Sequence, residues 1–308
     1  MTCNSAVAFM NGLVCALCGL KVSHKTTREP SMSYRNKSVK SRVAASTRPA
    51  CVARTMRVPG ALLLTLAMLF PATVAADKLS LMSGPRQVTM LELYTSQGCS
   101  SCPPAERWLN DYVDDKDLWT RIVPLAFHVD YWDYIGWKDA YALPEYGERQ
   151  REYARRGKAH TVVTPALFTN GQEWRGWSLR LKPRASSSKP GELSAIIQDG
   201  YLTAEFDTLK RESYELHVAI LGFGIKTKVK SGENRNSTLA QEFVVLAHDW
   251  HRSGTRRWHV SMPTPRLEAE RYGVALWVSK PGRPTPIQAT GGWLVDENES
   301  EGEDEESN

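Results

Sequence analysis

Two cysteines, Cys99 and Cys102, are the residues of this 308-residue chain whose types and spacing most directly support chemistry. They form a Cys-Ser-Ser-Cys motif between a predicted strand at residues 87–94 and a predicted helix from Pro103 onward. Free amides at a helix N-terminus stabilise a thiolate. Two intervening residues let both sulfurs meet across one turn, so a disulfide there opens and closes with little backbone change. The motif predicts a redox pair.

A carboxylate, Glu92, is the next candidate for this chemistry. It precedes Cys99 by seven residues in a mostly apolar strand, on the face opposite Leu91 and Leu93. A semi-buried carboxylate at this point could relay the proton of Cys102. The alternative is a strand glutamate whose carboxylate reaches solvent, and both interpretations stay open.

A metal site is a weaker interpretation of the residues that follow the second predicted strand. His128, Asp130 and Asp133 are close in sequence, but a histidine that ends a buried strand is more typical of hydrogen-bonded structure. Zinc usually takes four ligands, and this region lacks a second CxxC or a histidine pair at zinc spacing. Copper(I) held by Cys99, Cys102 and one histidine remains an alternative. The preferred interpretation needs no metal and no other cofactor.

Residues 56–76 have the order of a secretory signal: a start with one arginine, an apolar run over 61–70, and small residues before Asp77. This order predicts a periplasmic or secreted protein that is cleaved before Asp77. The run has about half of the ~20 apolar residues that a membrane-spanning helix needs, so no stable membrane span is expected. Residues 1–55 precede this signal, and a true start at Met56 is favoured over an unusually long leader.

The predicted cleavage separates a basic, cysteine-rich leader from a chain of different charge and cysteine content. The full chain is 42% hydrophobic and 24% charged, which excludes a disordered polymer and a cysteine-dense mini-protein. Its net charge of +5 comes from the leader, because residues 77–308 contain 29 basic and 33 acidic side chains. No basic stripe remains that favours nucleic acid. Four of the six cysteines also leave with the leader, and the acidic tail at 296–308 is expected to be disordered.

The remaining pattern changes in character near residue 202. Before it we predict a strand at 87–94, a buried strand at 122–129, helices at 145–158 and 190–200, and a hairpin at Asn170-Gly171. After it come seven short strand-like runs separated by turn-rich segments, the spacing of an antiparallel sandwich or barrel.

Several motifs carry a resemblance to a known family. They are LELYTSQGCSSCPPA at 91–105, FHVDYWDYIGWKD at 127–139, Arg149-Gln150 with Tyr153, Thr164-Pro165-Ala166, Asn170-Gly171 and Gly232-Glu233-Asn234. With them the chain resembles the thioredoxin superfamily and, more closely, the secreted thioredoxin-like proteins of DUF1223, a family with no settled activity. The resemblance implies an α/β thioredoxin-like domain at 84–201, followed by an all-β sandwich-like domain at 202–295.

The resemblance also implies roles for individual residues. Cys99 would be the exposed nucleophile and Cys102 the buried thiol that resolves a mixed disulfide. Pro165 would be a cis-proline beside the pair, and Thr164 would offer its backbone to an extended substrate. The alternative for Pro165 is an ordinary trans turn proline.

These expectations favour an exported thiol–disulfide oxidoreductase that acts on protein disulfides. Its partners would be protein clients with thiols or disulfides and a redox partner protein that restores the pair. Two alternatives stay open: a periplasmic copper(I) metallochaperone, and a non-catalytic binding module in which the cysteines form a structural disulfide. The Ser-Ser between the cysteines does not indicate whether the protein reduces, oxidises or isomerises its clients.

Overall fold

The computed structural model describes residues 78–294, whose strands form sheets of eight, four and two strands. The predicted signal peptide at 56–76, the segment 1–55 that precedes it and the acidic tail at 296–308 lie outside the described residues. Among residues 78–294, no helix is long and apolar enough to cross a membrane.

The elements follow one another with short connections. The strands are β1 (Leu79–Met82), β2 (Thr89–Thr95), β3 (Ile122–His128), β4 (Ala166–Thr169), β5 (Gln172–Glu173), β6 (Glu192–Gln198), β7 (Tyr201–Asp207), β8 (Tyr214–Phe223), β9 (Ile225–Lys228), β10 (Thr238–Gln241), β11 (Val244–Ser253), β12 (Arg257–Ser261), β13 (Arg271–Ser279) and β14 (Pro286–Leu294). The α-helices are α1 (Pro103–Asn110) and α2 (Pro144–Arg155), and two 3₁₀ segments span Asp130–Ile135 and Gly176–Leu179.

The eight-stranded sheet has the order β14-β13-β8-β11-β3-β2-β4-β5. Strands β2 and β3 are parallel, with Thr89 opposite Ile122. Strand β11 joins β3 in parallel through a single paired position, Val244 opposite Ala126, and the other neighbours in this sheet are antiparallel. This sheet therefore combines strands from both halves of the described chain.

The four-stranded sheet, β1-β6-β7-β12, covers one face of the C-terminal part of the large sheet. Leu193, Leu202 and Phe206 of this sheet pack with Leu216 and Leu276 of the large sheet in one apolar core. A second core lies around β2 and β3, where α1 and α2 contribute buried side chains. The disulfide region belongs to this second part of the molecule, at the end of β2.

The predicted fold class is wrong. The chain was expected to form an α/β thioredoxin-like domain followed by an all-β sandwich-like domain, but the described residues are mostly strand and share one mixed sheet. The backbone amide of Ala126 in β3 donates to the carbonyl of Phe243, just before β11, at 2.8 Å. Because β11 extends the sheet that contains β2 and β3, there is no separate α/β core.

The predicted helix at 190–200 is also wrong, and it contributed to the wrong fold class. This segment is strand β6, which pairs with β1 and β7. Its burial alternates, with Leu193, Ala195 and Ile197 inside and Ile196 39% exposed. Alternation with a period of two is the pattern of a strand with one buried face. A helix over 190–200 would place Leu193, Ile196 and Ile197 on one buried face, which the exposure of Ile196 contradicts.

Local turn chemistry was predicted correctly at the β4–β5 hairpin. Asn170 and Gly171 have φ values of 48° and 78°, the left-handed conformation that a two-residue hairpin turn requires. The side chain of Asn170 also accepts a hydrogen bond from the backbone of Met90 at 2.8 Å, which fixes the hairpin against β2.

Candidate functional site

A disulfide between Cys99 and Cys102 lies in the loop that joins β2 to α1. Helix α1 begins at Pro103, and two prolines fit its first turn because the amides there have no partner within the helix. The Cys102 carbonyl accepts from Ala105 and Glu106 at 2.9 and 3.1 Å, so it belongs to the first turn. The two cysteines therefore stand at the N-terminal end of a helix, as their spacing predicts.

The exposure of Cys99 differs from the expectation that it is an exposed nucleophile. Both cysteines have no exposed surface, while the intervening Ser100 and Ser101 are exposed. The Sγ atom of Cys99 lies 3.3 Å from the hydroxyl of Ser101. The disulfide is thus covered from solvent.

The loop at residues 229–237, between β9 and β10, contributes to this burial through contacts with residues 97–100, and we call it the β9–β10 loop. The Asn234 side chain donates to the carbonyls of Gln97 and Cys99, both at 2.9 Å. The Glu233 carboxylate accepts from the amide of Ser100 at 3.1 Å and from its hydroxyl at 2.6 Å. These bonds lower the pKa of Glu233. Gly232-Glu233-Asn234 is a plain turn by composition, so no local signal identified it as part of the site.

The side chain of Trp132 links Thr164 to the residue that precedes the disulfide. The Thr164–Pro165 peptide is cis, the isomer expected from the resemblance. The indole of Trp132 donates to the hydroxyl of Thr164 at 2.6 Å. The Cβ of Trp132 lies 3.2 Å from the point where a Cβ at Gly98 would stand, so the base of this side chain packs against the residue before Cys99.

A buried carboxyl group, Glu106, lies one helical turn after Cys102. Its Oε1 accepts from the hydroxyl of Thr95 at 2.6 Å and from the side-chain amide of Gln241 at 3.1 Å. Burial raises the pKa of Glu106, and the charge of His128 only partly offsets this effect. The sequence analysis did not identify Glu106. Its spacing of four from Cys102 places both on one helix face, which is a signal that was available.

Hydrogen bonds extend from Glu106 beneath the disulfide. Gln241 accepts from the side chain of Gln97 at 2.9 Å, and the Gln97 backbone amide donates to Asp139 at 2.8 Å. The same Asp139 oxygen lies 2.7 Å from Nδ1 of the buried His128. We call Thr95, Glu106, Gln241, Gln97, Asp139 and His128 the acid–imidazole network.

The two ionisable groups at the far end of this network perturb one another. Burial by itself lowers the pKa of His128, but the charges of Asp139 and Glu106 more than offset it, so this pKa is raised. Burial by itself raises the pKa of Asp139, but His128 and the hydrogen bonds to Asp139 lower it overall. Within the described residues, the Nε2 atom of His128 is buried without a hydrogen-bond partner. The imidazole is therefore held in place through Nδ1 and Asp139.

The proposed metal cluster of His128, Asp130 and Asp133 has a different role in the structure. His128 pairs with Asp139, and a side-chain oxygen of Asp133 accepts from the Asp139 amide at 3.2 Å. Within residues 78–294, no group of three or more His, Cys, Asp or Glu side chains is placed to hold a metal ion.

Glu92 is not brought to the disulfide. Its carboxylate lies 2.8 Å from the Arg149 guanidinium and accepts from the hydroxyl of Tyr153 at 2.6 Å, both on α2. Thr95 contacts Glu106 on α1. Since positions 92 and 95 are an odd number of residues apart in one strand, their side chains point to opposite faces of the sheet.

A cavity of about 560 Å³ opens beside the Glu92–Arg149 pair and does not include the cysteines. His217 and His248 lie in its wall. The Nδ1 atom of His217 is hydrogen-bonded to the Nε2 atom of His248 at 3.1 Å, and both imidazole rings stack with the indole of Trp277. Burial and then the charge of Arg149 lower the pKa of His248 to about 3, so this imidazole is neutral at physiological pH.

Comparison with solved structures gives a fold likeness only. An X-ray crystal structure of a protein from Agrobacterium tumefaciens matches with a TM-score of 0.50 and 23% identity, over 68% of this chain and 95% of that one. HBP35 of Porphyromonas gingivalis matches with a TM-score of 0.46 and 14% identity, over 69% of this chain and 76% of that one.

A search of curated proteins finds no match. The family model described as a protein of unknown function, DUF1223, matches residues 90–279 and so includes the disulfide, the acid–imidazole network and the β9–β10 loop. The chain belongs to the DUF1223 family.

Proposed function

We propose that the protein is an exported thiol–disulfide oxidoreductase that exchanges disulfides with protein clients through Cys99 and Cys102. The observation that carries the proposal is the disulfide at the start of α1 with the buried carboxyl group of Glu106 one turn later. A helix N-terminus favours the thiolate form of a cysteine, and a carboxyl group with a raised pKa takes up a proton more readily than an ordinary carboxylate. The signal pattern at 56–76 supports a periplasmic or secreted location.

The chemistry begins from the reduced pair. The Cys99 thiolate attacks one sulfur of the client disulfide, whose S–S bond breaks as a mixed disulfide forms, and the departing client thiolate takes a proton. Glu106 then accepts the proton of the Cys102 thiol. The Cys102 thiolate attacks the Cys99 sulfur and releases the second client sulfur, which is protonated in turn. The client gains two electrons from the two cysteines and two protons: one is the Cys102 proton, passed on by Glu106, and the other comes from solvent, into which Cys99 released its own proton on forming the thiolate.

Two exposed apolar side chains are sequence neighbours of residues that connect to the disulfide loop. Tyr134, in the same 3₁₀ segment as Trp132, is 83% exposed. Val163, which precedes Thr164, is 44% exposed. Because Trp132 joins Thr164 to Gly98, we expect these two side chains to contact a client segment bound at Cys99.

The test is capture of a mixed disulfide. Reduced Cys102→Ser protein, mixed with a peptide that contains one disulfide, should accumulate a covalent adduct at Cys99 because the resolving thiol is missing. The Cys99→Ser/Cys102→Ser protein is the matched control and should form none. If reduced Cys102→Ser forms no adduct and the wild-type protein shows no turnover of the peptide disulfide, the proposal is wrong.

One observation favours the structural-disulfide alternative, namely the complete burial of both cysteines. A structural disulfide typically contributes about 2–4 kcal/mol to stability, and its reduction potential falls below roughly −300 mV. A redox-active pair has a higher potential. Measuring the potential, together with the unfolding free energy of the oxidised and reduced protein, separates the two functions.

A further inference from the structure

After the buried Val229 at its start, the β9–β10 loop is attached to the rest of the molecule mainly by polar contacts, with Gly232 close to the Trp137 side chain. From Lys230 to Ser237 it has no apolar side chain, and it is held by Glu233, by Asn234 and by the hydroxyl of Ser231, which donates to the carbonyl of Gly136 at 2.5 Å. Segments with few buried apolar contacts open at low free-energy cost. The loop can therefore move without disturbing the cores beneath it.

The contact with Ser100 depends on the state of the neighbouring cysteine. The Glu233 carboxylate occupies the amide and hydroxyl of Ser100, which are donors next to Cys99. In the disulfide, Cys99 carries no charge. In the reduced pair a Cys99 thiolate repels this neighbouring carboxylate.

We propose that the β9–β10 loop is a redox-dependent gate, which covers Cys99 while the pair is oxidised and opens when the pair is reduced. This inference rests on the proposed oxidoreductase function and adds the direction in which electrons pass between the pair and a client. A pair that is accessible when reduced and covered when oxidised passes its two electrons to a client disulfide and is protected from the reverse reaction. The protein is thus assigned as a reductant, and the dithiol protein that restores its pair has to displace Glu233 and Asn234.

Gate opening is measured directly by hydrogen exchange at Ser100 and the β9–β10 loop amides, without any client. In the oxidised protein the Ser100 amide should be protected by Glu233, and reduction should accelerate its exchange by about tenfold or more. In Glu233→Gln, a neutral amide replaces the carboxylate, so the reduced protein should keep most of the protection. Equal protection in oxidised and reduced wild-type protein would overturn the redox dependence.

A second measurement tests whether the loop limits access to the disulfide. Asn234→Ala removes both hydrogen bonds to the Gln97 and Cys99 carbonyls, so dithiothreitol should reduce the oxidised variant about tenfold faster than the wild type. Arg235→Ala, at an exposed position of the same loop, is the control and should react at the wild-type rate. If Asn234→Ala is no faster than Arg235→Ala, the loop is not a gate.

These results are separable from those of the capture experiment. A gate that opens on reduction, with no adduct in Cys102→Ser and no turnover by the wild-type protein, would retain the gate and reject the oxidoreductase function. An adduct with no change in exchange at Ser100 would retain the function and reject the gate.

Discussion

The two faces of strand β2 carry buried polar clusters that differ in how completely their groups are paired. On the α2 face, Glu92 faces Arg149 at 2.8 Å and also binds Tyr153. On the α1 face, Glu106 is bonded only to neutral groups, and its pKa is raised. A charge that is fully paired is held in one state, whereas a desolvated carboxyl group readily gains or loses a proton. Under the proposed function, the difference favours a structural role for Glu92 and a proton-accepting role for Glu106.

The largest effect is expected from breaking the pair on the α2 face. Arg149→Met leaves the Glu92 charge buried without its partner, which should cost about 3–5 kcal/mol of unfolding free energy. Denaturant unfolding measures this loss, with Arg151→Met at a more exposed position of the same helix as the control. The thiol–disulfide exchange rate of the folded fraction should be unchanged. A large fall in that rate at full stability would contradict the division between the faces.

On the α1 face, a substitution should lower the exchange rate and leave stability undiminished. Glu106→Gln keeps the hydrogen-bond geometry but removes the proton acceptor, so the exchange rate should fall about a hundredfold. Because the pKa of Glu106 is raised by folding, its ionised form opposes folding at neutral pH. The variant should therefore be at least as stable as the wild type at pH 7, with the difference shrinking in acid. A pH–rate profile and denaturant unfolding at several pH values check both statements.

The network beneath the disulfide should give a pH-dependent contribution to stability. Asp139→Asn removes the carboxylate partner of His128 and should cost about 2 kcal/mol. The contribution of His128 is fully present below its ordinary pKa of 6.5 and is lost as the pH rises through its raised value. The contribution of Asp139 to stability is present above pH 3.8, its ordinary pKa, and is lost as the pH falls through the lowered pKa of this group. The deficit of the variant should be largest between pH 3.8 and 6.5.

Thermal or chemical unfolding across pH 3–9 measures this window. Asp114→Asn, at an exposed position, is the control and should follow the wild-type curve. A deficit that is constant with pH would show that His128 and Asp139 do not titrate as a pair.

The smallest effect is expected at the surface of the site. Glu233→Gln removes a negative charge beside Cys99, which should lower the pKa of that thiol and favour the reduced form. The equilibrium between the pair and glutathione should shift toward the dithiol by about threefold, so the reduction potential rises. Glu212→Gln, on the loop before β8, should leave the equilibrium unchanged. A lower potential in Glu233→Gln would contradict the electrostatic basis of the gate.

Local features of the site could be predicted from the sequence. The strand–CxxC–helix order, the Asn170-Gly171 turn and the charged helix α2 follow from turn residues and periodicity over a few positions. The parallel contact between β3 and β11 could not, because Ala126 and Val244 are 118 positions apart and no local pattern records their pairing. The same holds for the cover over Cys99, since a polar turn such as Gly232-Glu233-Asn234 has the same composition wherever it packs.

The acid–imidazole network could be predicted from the sequence only in part. The spacing of Glu106 from Cys102 was visible, but an acidic residue in the first turn of a helix is usually explained by the helix dipole. Its burial depends on Gln241 and Thr95, which lie 135 and 11 positions away. Glu92 attracted attention instead because it lies in an apolar strand, and only the partner helix, through Arg149, decides what a strand carboxylate does.

The separation of 135 residues between Cys99 and Asn234 has a consequence for the order in which the protein is made. A chain grows from its N-terminus, and domains begin to fold during synthesis. Both cysteines therefore emerge well before the residues that cover them, and contacts so distant in sequence form late. Until the second half of the chain arrives, the thiols of the nascent protein are open to oxidants, to other chains and to each other. The covered disulfide is thus a property of the finished chain.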